Sequence, residues 1–261
     1  MNAASPLAAV RRCVQEAARR QWVPGVLGAL YRIYERRLLR AVRKDAMPRH
    51  IGIILDGNRR HARTLGITDP QAVYDLGARK LDDVLSWCIE LNVPTVTLWV
   101  FKLCSLVCDR YFHARRIRVR AIGKLDSIPE ATRAAIRAIE DATASYESMV
   151  LNIAIAYGGR QEIADAIVAL LRDEEAEGRT LADAAARLTP EAIGRYLYTA
   201  GLPDPDLIIR TSGEVRLSGF MLWQSAHSEF YFADVNWPVF RKIDLLRAIR
   251  SYQQRQRRFG I

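Results

Sequence analysis

Apolar residues in this chain fall into short dense runs separated by longer stretches with helical spacing. Residues 50–55, 95–101, 117–122, 150–156 and 207–210 are runs rich in Ile, Val and Leu, the pattern of strands buried on both faces. A shorter run at 230–232 predicts a further strand. Between them, residues 72–91, 129–143, 161–177, 190–196 and 243–258 repeat apolar positions every three to four residues and predict helices. Thr189-Pro190 supplies an N-cap with proline at the first helical position, and Asp126 to Glu130 brackets another helix start. Strands alternating with helices predict an α/β fold: an open, mostly parallel sheet of about six strands flanked by helices.

The first 46 residues follow a different pattern. Leu27, Leu30, Tyr31, Tyr34, Leu38 and Val42 recur at helical spacing, while Arg32, Glu35, Arg36, Arg40 and Arg43 occupy the other faces. Pro24-Gly25 interrupts the pattern, so one short helix is expected before it and one after. Residues 1–46 thus predict a basic amphipathic helical extension, and 47–261 the domain. The extension fits a helix packed on the domain, an interfacial helix resting on anionic lipid, or an RNA-binding arm.

Charge narrows these options. The net charge is +10, but ten Arg or Lys against two Glu between Arg11 and Lys44 carry most of it. The remainder holds 29 basic and 27 acidic groups, so the domain proper is nearly neutral and gives no sign of binding nucleic acid. No run reaches the roughly 18–20 apolar residues of a spanning helix, and Met1 to Leu7 lacks the pattern of a secretory signal. Cys13, Cys88, Cys104 and Cys108 are few for 261 residues and read as reduced thiols. Cys104, Cys108 and His113 lack the spacing and the fourth ligand of a zinc site. A cytoplasmic protein is expected, with the extension able to place it at the inner face of the membrane.

Candidate chemistry gathers where strands end, the usual ligand side of an open α/β sheet. The first strand runs into Asp56-Gly57-Asn58-Arg59-Arg60. Gly57 permits close backbone approach, Asn58 can cap the next helix, and the two arginines offer forked donors suited to phosphate. Asp56 amid this positive charge makes sense where a cation bridges it to that phosphate. Taken alone, the pentad also reads as a surface turn with a solvated arginine pair. A second segment runs from Asp206 to Glu229 through Arg210-Thr211-Ser212-Gly213-Glu214 and Arg216-Leu217-Ser218. Two arginines with hydroxyls and glycines between them can hold a diphosphate. Ala156-Tyr157-Gly158-Gly159-Arg160 is a third, weaker turn of this kind.

These blocks together resemble the cis-prenyltransferases, the family of undecaprenyl diphosphate synthase and the actinobacterial short-chain (Z)-prenyl diphosphate synthases. The likeness runs from Met47 to Gly260, and the stretch from Pro205 through Arg210-Thr211-Ser212-Gly213-Glu214, Arg216-Leu217-Ser218-Gly219-Phe220 and Trp223-Gln224 to Glu229 is its most specific part. It implies a magnesium-dependent transferase that condenses isopentenyl diphosphate with a short allylic diphosphate to a (Z)-prenyl diphosphate. Asp56 resembles the essential aspartate that works with Mg2+. Gly57, Asn58, Arg59 and Arg60, with His61 beside them, match the loop for the allylic diphosphate. Arg210, Arg216, Leu217 and Ser218 match the isopentenyl diphosphate site, and Glu229 its magnesium ligand. The tail Arg258-Phe259-Gly260 resembles one that reaches a neighbouring subunit's site, which implies a homodimer.

The chain departs from the family after Phe101. The family's Phe-Ser-x-Glu-Asn is replaced by Phe101-Lys102-Leu103-Cys104-Ser105, and the stretch to Ile122 is about half the usual length. The serine and asparagine at the reacting carbons, and a nearby arginine, are missing. His61 replaces a tryptophan, Val215 a histidine and Tyr74 another histidine, and residues 65–75 lack an arginine. Two alternatives to ordinary condensation follow: irregular coupling or cyclisation of an allylic diphosphate, or a catalytically impaired supporting subunit.

Overall fold

A computed structural model of the chain describes residues 26–100 and 109–255. The shortened segment 101–108 with Cys104 and Cys108, the stretch before Val26 with Cys13, and the tail Arg258-Phe259-Gly260 lie outside the described residues. Six strands form one sheet: β1 (His50–Ile54), β2 (Thr95–Trp99), β3 (Ile117–Ile122), β4 (Met149–Ala154), β5 (Leu207–Arg210) and β6 (Glu229–Phe232). Their order is β3-β4-β2-β1-β5-β6 and every pairing is parallel, so the sheet is wholly rather than mostly parallel. Every residue of β1, β2 and β5 is buried, as strands covered by helices on both faces must be. Edge strands differ: β3 exposes Arg118, and all of β6 is half-buried.

The helices are α1 (Val26–Val42), α2 (Asn58–Thr64), α3 (Pro70–Glu90), α4 (Asp109–Arg115), α5 (Glu130–Thr143), α6 (Gly159–Ala176), α7 (Leu181–Arg187), α8 (Pro190–Gly194) and α9 (Lys242–Gln254). Thr189 caps α8 through a bond from the Ala192 N–H, with Pro190 in the first turn, as the sequence predicts. Asp126 instead sits in a 3-10 turn, and Pro129 stands at the cap of α5. The strand expected over 150–156 ends at Ala154, because Ala156 adopts a left-handed φ of 47° and turns the chain out of the ladder. Three short helices, α2, α4 and α7, escape the periodic pattern because seven residues make only two turns.

Three polar side chains sit in the middle of the sheet. The His50 Nδ1–H donates to the Pro203 carbonyl at 2.6 Å, its Nε2 accepts from the Thr97 hydroxyl at 2.7 Å, and the Asn152 amide donates to Thr97 at 2.9 Å. This fixes one neutral tautomer, and burial pushes the imidazole pKa down to about 4.

Helix α1 packs on α9. Arg241 lies over the Tyr31 ring at 5.2 Å and Arg247 over Tyr34 at 5.6 Å, while Gln253 donates to the Val42 carbonyl and Arg250 pairs with Asp45. Val42 is fully buried, yet Ile33 is 50% exposed beside Arg32, Arg36 and Arg37. No described helix is long and apolar enough to cross a membrane.

Candidate active site

The strand order dictates where a ligand can sit. After β1 the chain turns toward β2 on one side, and after β5 toward β6 on the other, so the loops beyond β1 and β5 part above adjacent strands. A crevice at such a switch point is the expected ligand site. The Asp56 turn and the loop that begins at Thr211 occupy it.

The two loops are sewn together. The Asp56 N–H donates to the Thr211 hydroxyl at 3.0 Å, which donates back to the Asp56 carbonyl at 2.7 Å. Arg210, with a side chain only 4% exposed, donates to the Asp56 carboxylate at 2.8 Å. Arg60 donates to the Ser212 carbonyl at 2.9 Å and pairs with Glu214 at 3.2 Å. Gly57 adopts φ 94°, which brings its N–H to 2.7 Å from the Asp56 carboxylate. Burial alone would raise the Asp56 pKa. The Arg210 guanidinium, the Gly57 N–H and the nearby positive charge outweigh it and hold the carboxyl below its usual range.

Several predicted site residues take places the sequence does not foretell. Gly57, not Asn58, is the N-cap of α2, because its left-handed backbone makes Asn58 the first helical residue. The Asn58 amide turns inward to donate to the Leu55 carbonyl, and its Oδ1 is buried against Gly77 without a partner. Arg59 and Arg60 diverge. Arg59 and Arg63, four residues apart on α2, border a cavity of about 290 Å3 with apolar walls of Ala62, Ile67, Pro70 and Val73. His61 is half-buried, and burial lowers its pKa.

Arg210 is committed to the protein. Besides Asp56, it donates to the Ser218 hydroxyl at 2.8 Å and to the Arg216 carbonyl, leaving its buried Nε without a partner. It shapes the Arg216-Leu217-Ser218 loop more than it faces solvent. Leu217 packs on the aromatic cluster at the strand ends, where Trp99 stacks on Phe220 at 5.6 Å. Arg216 and Ser218 are exposed, Ser218 with φ 53°.

Glu229 does not join Asp56 within one chain. It pairs with Leu207, the first residue of β5, whereas Asp56 follows Ile54, which pairs with Arg210 at the other end. Three residues of strand separate those levels by ~10 Å. Glu229 instead pairs with Arg255 at 2.6 Å, and Asp206 at the same end accepts the Arg49 and His50 N–H groups. The described residues include no group of three or more His, Cys, Asp or Glu able to hold a metal alone.

The Gly158-Gly159-Arg160 turn is structural. The Gly159 N–H donates to the Gly219 carbonyl at 2.8 Å, and a Cβ there would lie 2.7 Å from that oxygen. Behind it the buried Glu162 accepts from the Tyr157 hydroxyl, the Gln224 amide and the Tyr198 N–H, while the Tyr157 oxygen accepts from the Met221 N–H. Sequence reasoning missed this brace under the Arg216 loop, because Glu162 shows only helical spacing.

Known proteins resemble this chain in sequence and fold. A prenyltransferase family model for undecaprenyl diphosphate synthase matches residues 54–260. An isoprenyl transferase of Thermus thermophilus is 53% identical over 253 positions, covering 88% of this chain and 95% of the relative. A (2Z,6E)-farnesyl diphosphate synthase of Thermobifida fusca is 50% identical over 246 positions, covering 88% and 97%. Since 88% of 261 residues is about 230, some 20 aligned positions of these relatives have no counterpart here, which agrees with the short stretch after Phe101. Lavandulyl diphosphate synthase from Lavandula x intermedia, solved with dimethylallyl diphosphate, superposes with a TM-score of 0.71 at 30% identity over 82% of this chain and 99% of that one. With the crevice at the switch point, the stitched arginine loops and these matches in hand, the chain belongs to the undecaprenyl diphosphate synthase family of prenyltransferases.

Proposed function

We propose that this prenyltransferase condenses isopentenyl diphosphate with a short allylic diphosphate to a (Z)-prenyl diphosphate, with Mg2+ as its cofactor. The observation that carries this reading is the joining of Asp56, Arg60 and Arg210 to the Arg216-Ser218 loop at one crevice. The 50% identical farnesyl diphosphate synthase supports it, as does the modest apolar cavity beside Arg59 and Arg63, which suits a short prenyl tail.

The allylic diphosphate would lie over the start of α2, bound by Gly57, Arg59 and Arg60, with His61 at the rim. Arg216, Leu217 and Ser218 would bind isopentenyl diphosphate, and Arg210 would hold that loop and Asp56 in register. Asp56 suits magnesium: it is an ionised, half-exposed carboxylate, and this ion is commonly held by one or two carboxylates plus substrate phosphates. When bound, the ion would neutralise charge on the departing diphosphate. The arginines do the same where that charge develops.

Glu229 would enter such a metal site only from a second copy, which ties it to the homodimer. The half-buried edge strand β6, with Phe230 stacked on Phe232, supports pairing of two copies there. Exposed Ile33 and its neighbouring arginines support peripheral contact of α1 with anionic lipid, in a cytoplasmic enzyme. The missing positions after Phe101 favour a second reading, irregular coupling or cyclisation, and the lavandulyl synthase likeness gives it weight. Incubation with Mg2+, isopentenyl diphosphate and dimethylallyl, geranyl or farnesyl diphosphate, followed by mass spectrometry, tests both. A linear (Z)-product supports condensation. A branched or cyclic product supports the alternative, and no product from any pair leaves a supporting subunit.

A further inference from the structure

Glu214 lies between the two arginines proposed to bind substrate, and it carries charge of the wrong sign for a diphosphate site. One carboxylate oxygen is 3.2 Å from the Arg60 guanidinium and the other accepts from Arg216. The side chain is 27% exposed against 56% for Arg60 and 62% for Arg216, so the carboxylate is the sheltered member of the trio. Its position is imposed by the backbone. Ser212 and Gly213 both adopt left-handed φ values, 77° and 73°, and their N–H groups are pinned to the Val235 and Ala233 carbonyls. The Arg60 guanidinium holds the Glu214 carboxyl below its usual range, with Arg216 adding to the effect.

We infer that Glu214 is an internal counter-anion that occupies Arg60 and Arg216 in the empty enzyme and, after the reaction, reclaims Arg60 from the inorganic diphosphate that the allylic substrate leaves there, promoting its release. The inference rests on the proposed diphosphate binding at those two arginines. A carboxylate and a diphosphate oxygen compete for the same forked donors, and binding either excludes the other. The diphosphate, with more charge and more oxygens, displaces Glu214 when it enters. The product diphosphate has lost the prenyl group and its apolar contacts, so the competing carboxylate weighs most at the release step. Glu214 is therefore a positioning residue that acts through the two arginines.

The test compares the full-length wild type with Glu214→Gln and Glu214→Ala, using inorganic diphosphate as the probe. An exposed ion pair shifts an equilibrium constant by up to about fivefold, so freeing Arg60 should tighten inorganic diphosphate binding by about two- to fivefold in calorimetry. Product inhibition should tighten by the same factor, kcat should fall, and the KM for isopentenyl diphosphate should not rise. A merely structural role moves binding the other way. If both variants bind inorganic diphosphate no more tightly than wild type, or KM rises while inhibition weakens, the counter-anion idea is overturned. Arg60→Gln separates the two layers. If it does not weaken inorganic diphosphate binding relative to wild type, the arginine site itself is wrong and the inference falls with it. If it weakens binding while the Glu214 variants show no gain, only the inference falls.

Discussion

Replacing Gly57 by alanine should damage the site through the backbone alone. The residue stands at φ 94°, and a Cβ built there would lie 2.4 Å from the Asn236 side-chain oxygen and 2.9 Å from its Cβ. Left-handed backbone costs a non-glycine residue roughly 1–2 kcal/mol, and crowding a close-packed contact adds roughly 1–3 kcal/mol. Gly57→Ala should therefore lower stability by about 2–5 kcal/mol. Gly57→Ala/Asn236→Gly should recover the crowding part and leave the backbone part. Urea unfolding followed by tryptophan fluorescence, on the four proteins of this cycle, gives each contribution from midpoints at constant slope. Because the same glycine sets the N–H that holds Asp56, turnover should stay low even in the double variant. A single variant within about 0.5 kcal/mol of wild type, the range of a featureless surface change, would refute the reasoning.

Three further outcomes are expected. His50 is neutral at pH 7 in folded and unfolded chains, but its folded pKa is about 4 against an ordinary 6.5, so stability should fall as pH drops through that window, by up to ~3 kcal/mol; His50→Gln should flatten this limb of a urea-midpoint profile, and an unchanged profile would count against the assignment. Arg210→Met should cost about 1–3 kcal/mol at neutral pH, because it removes the pair with the half-exposed Asp56 carboxylate and the bonds to Ser218 and the Arg216 carbonyl, and less in acid, once Asp56 is protonated and the pair counts for less; an equal cost in acid and at neutral pH contradicts the pairing. Burial pushes the Cys88 thiol up to about 12, so iodoacetamide should modify it only in denaturant, as read by peptide mass mapping; rapid native labelling would show that the β1–α3 core opens.

The strands were legible because they are buried on both faces: an unbroken run such as Ile51 to Leu55 has few other places to go. The Asp56 turn was legible because glycine directly after a strand marks a backbone that side chains rarely adopt. Arg210 and Glu229 were read less well, for a shared reason. Sequence spacing locates a residue along a strand but not which end of the sheet faces the ligand, and the parallel register puts these two at opposite ends. Nor does spacing reveal that a guanidinium is already spent on protein acceptors, as Arg210 is on Asp56, Ser218 and the Arg216 carbonyl. Short helices such as Leu181–Arg187 rest on a local cap, here the Thr180 and Asp183 box, rather than on repeated apolar positions.

The packing of α1 on α9 has a consequence for how the protein is made. The ribosome delivers Val26–Val42 early and its partner Lys242–Gln254 some 200 residues later. At the usual ~5–20 residues per second, the early helix waits roughly 10–40 s before that partner emerges. Throughout that interval Leu38 and Val42 have nothing native from α9 to cover them. A nascent chain of this protein should therefore be most vulnerable to association through this helix, and most in need of chaperone cover there, until Lys242–Gln254 has emerged.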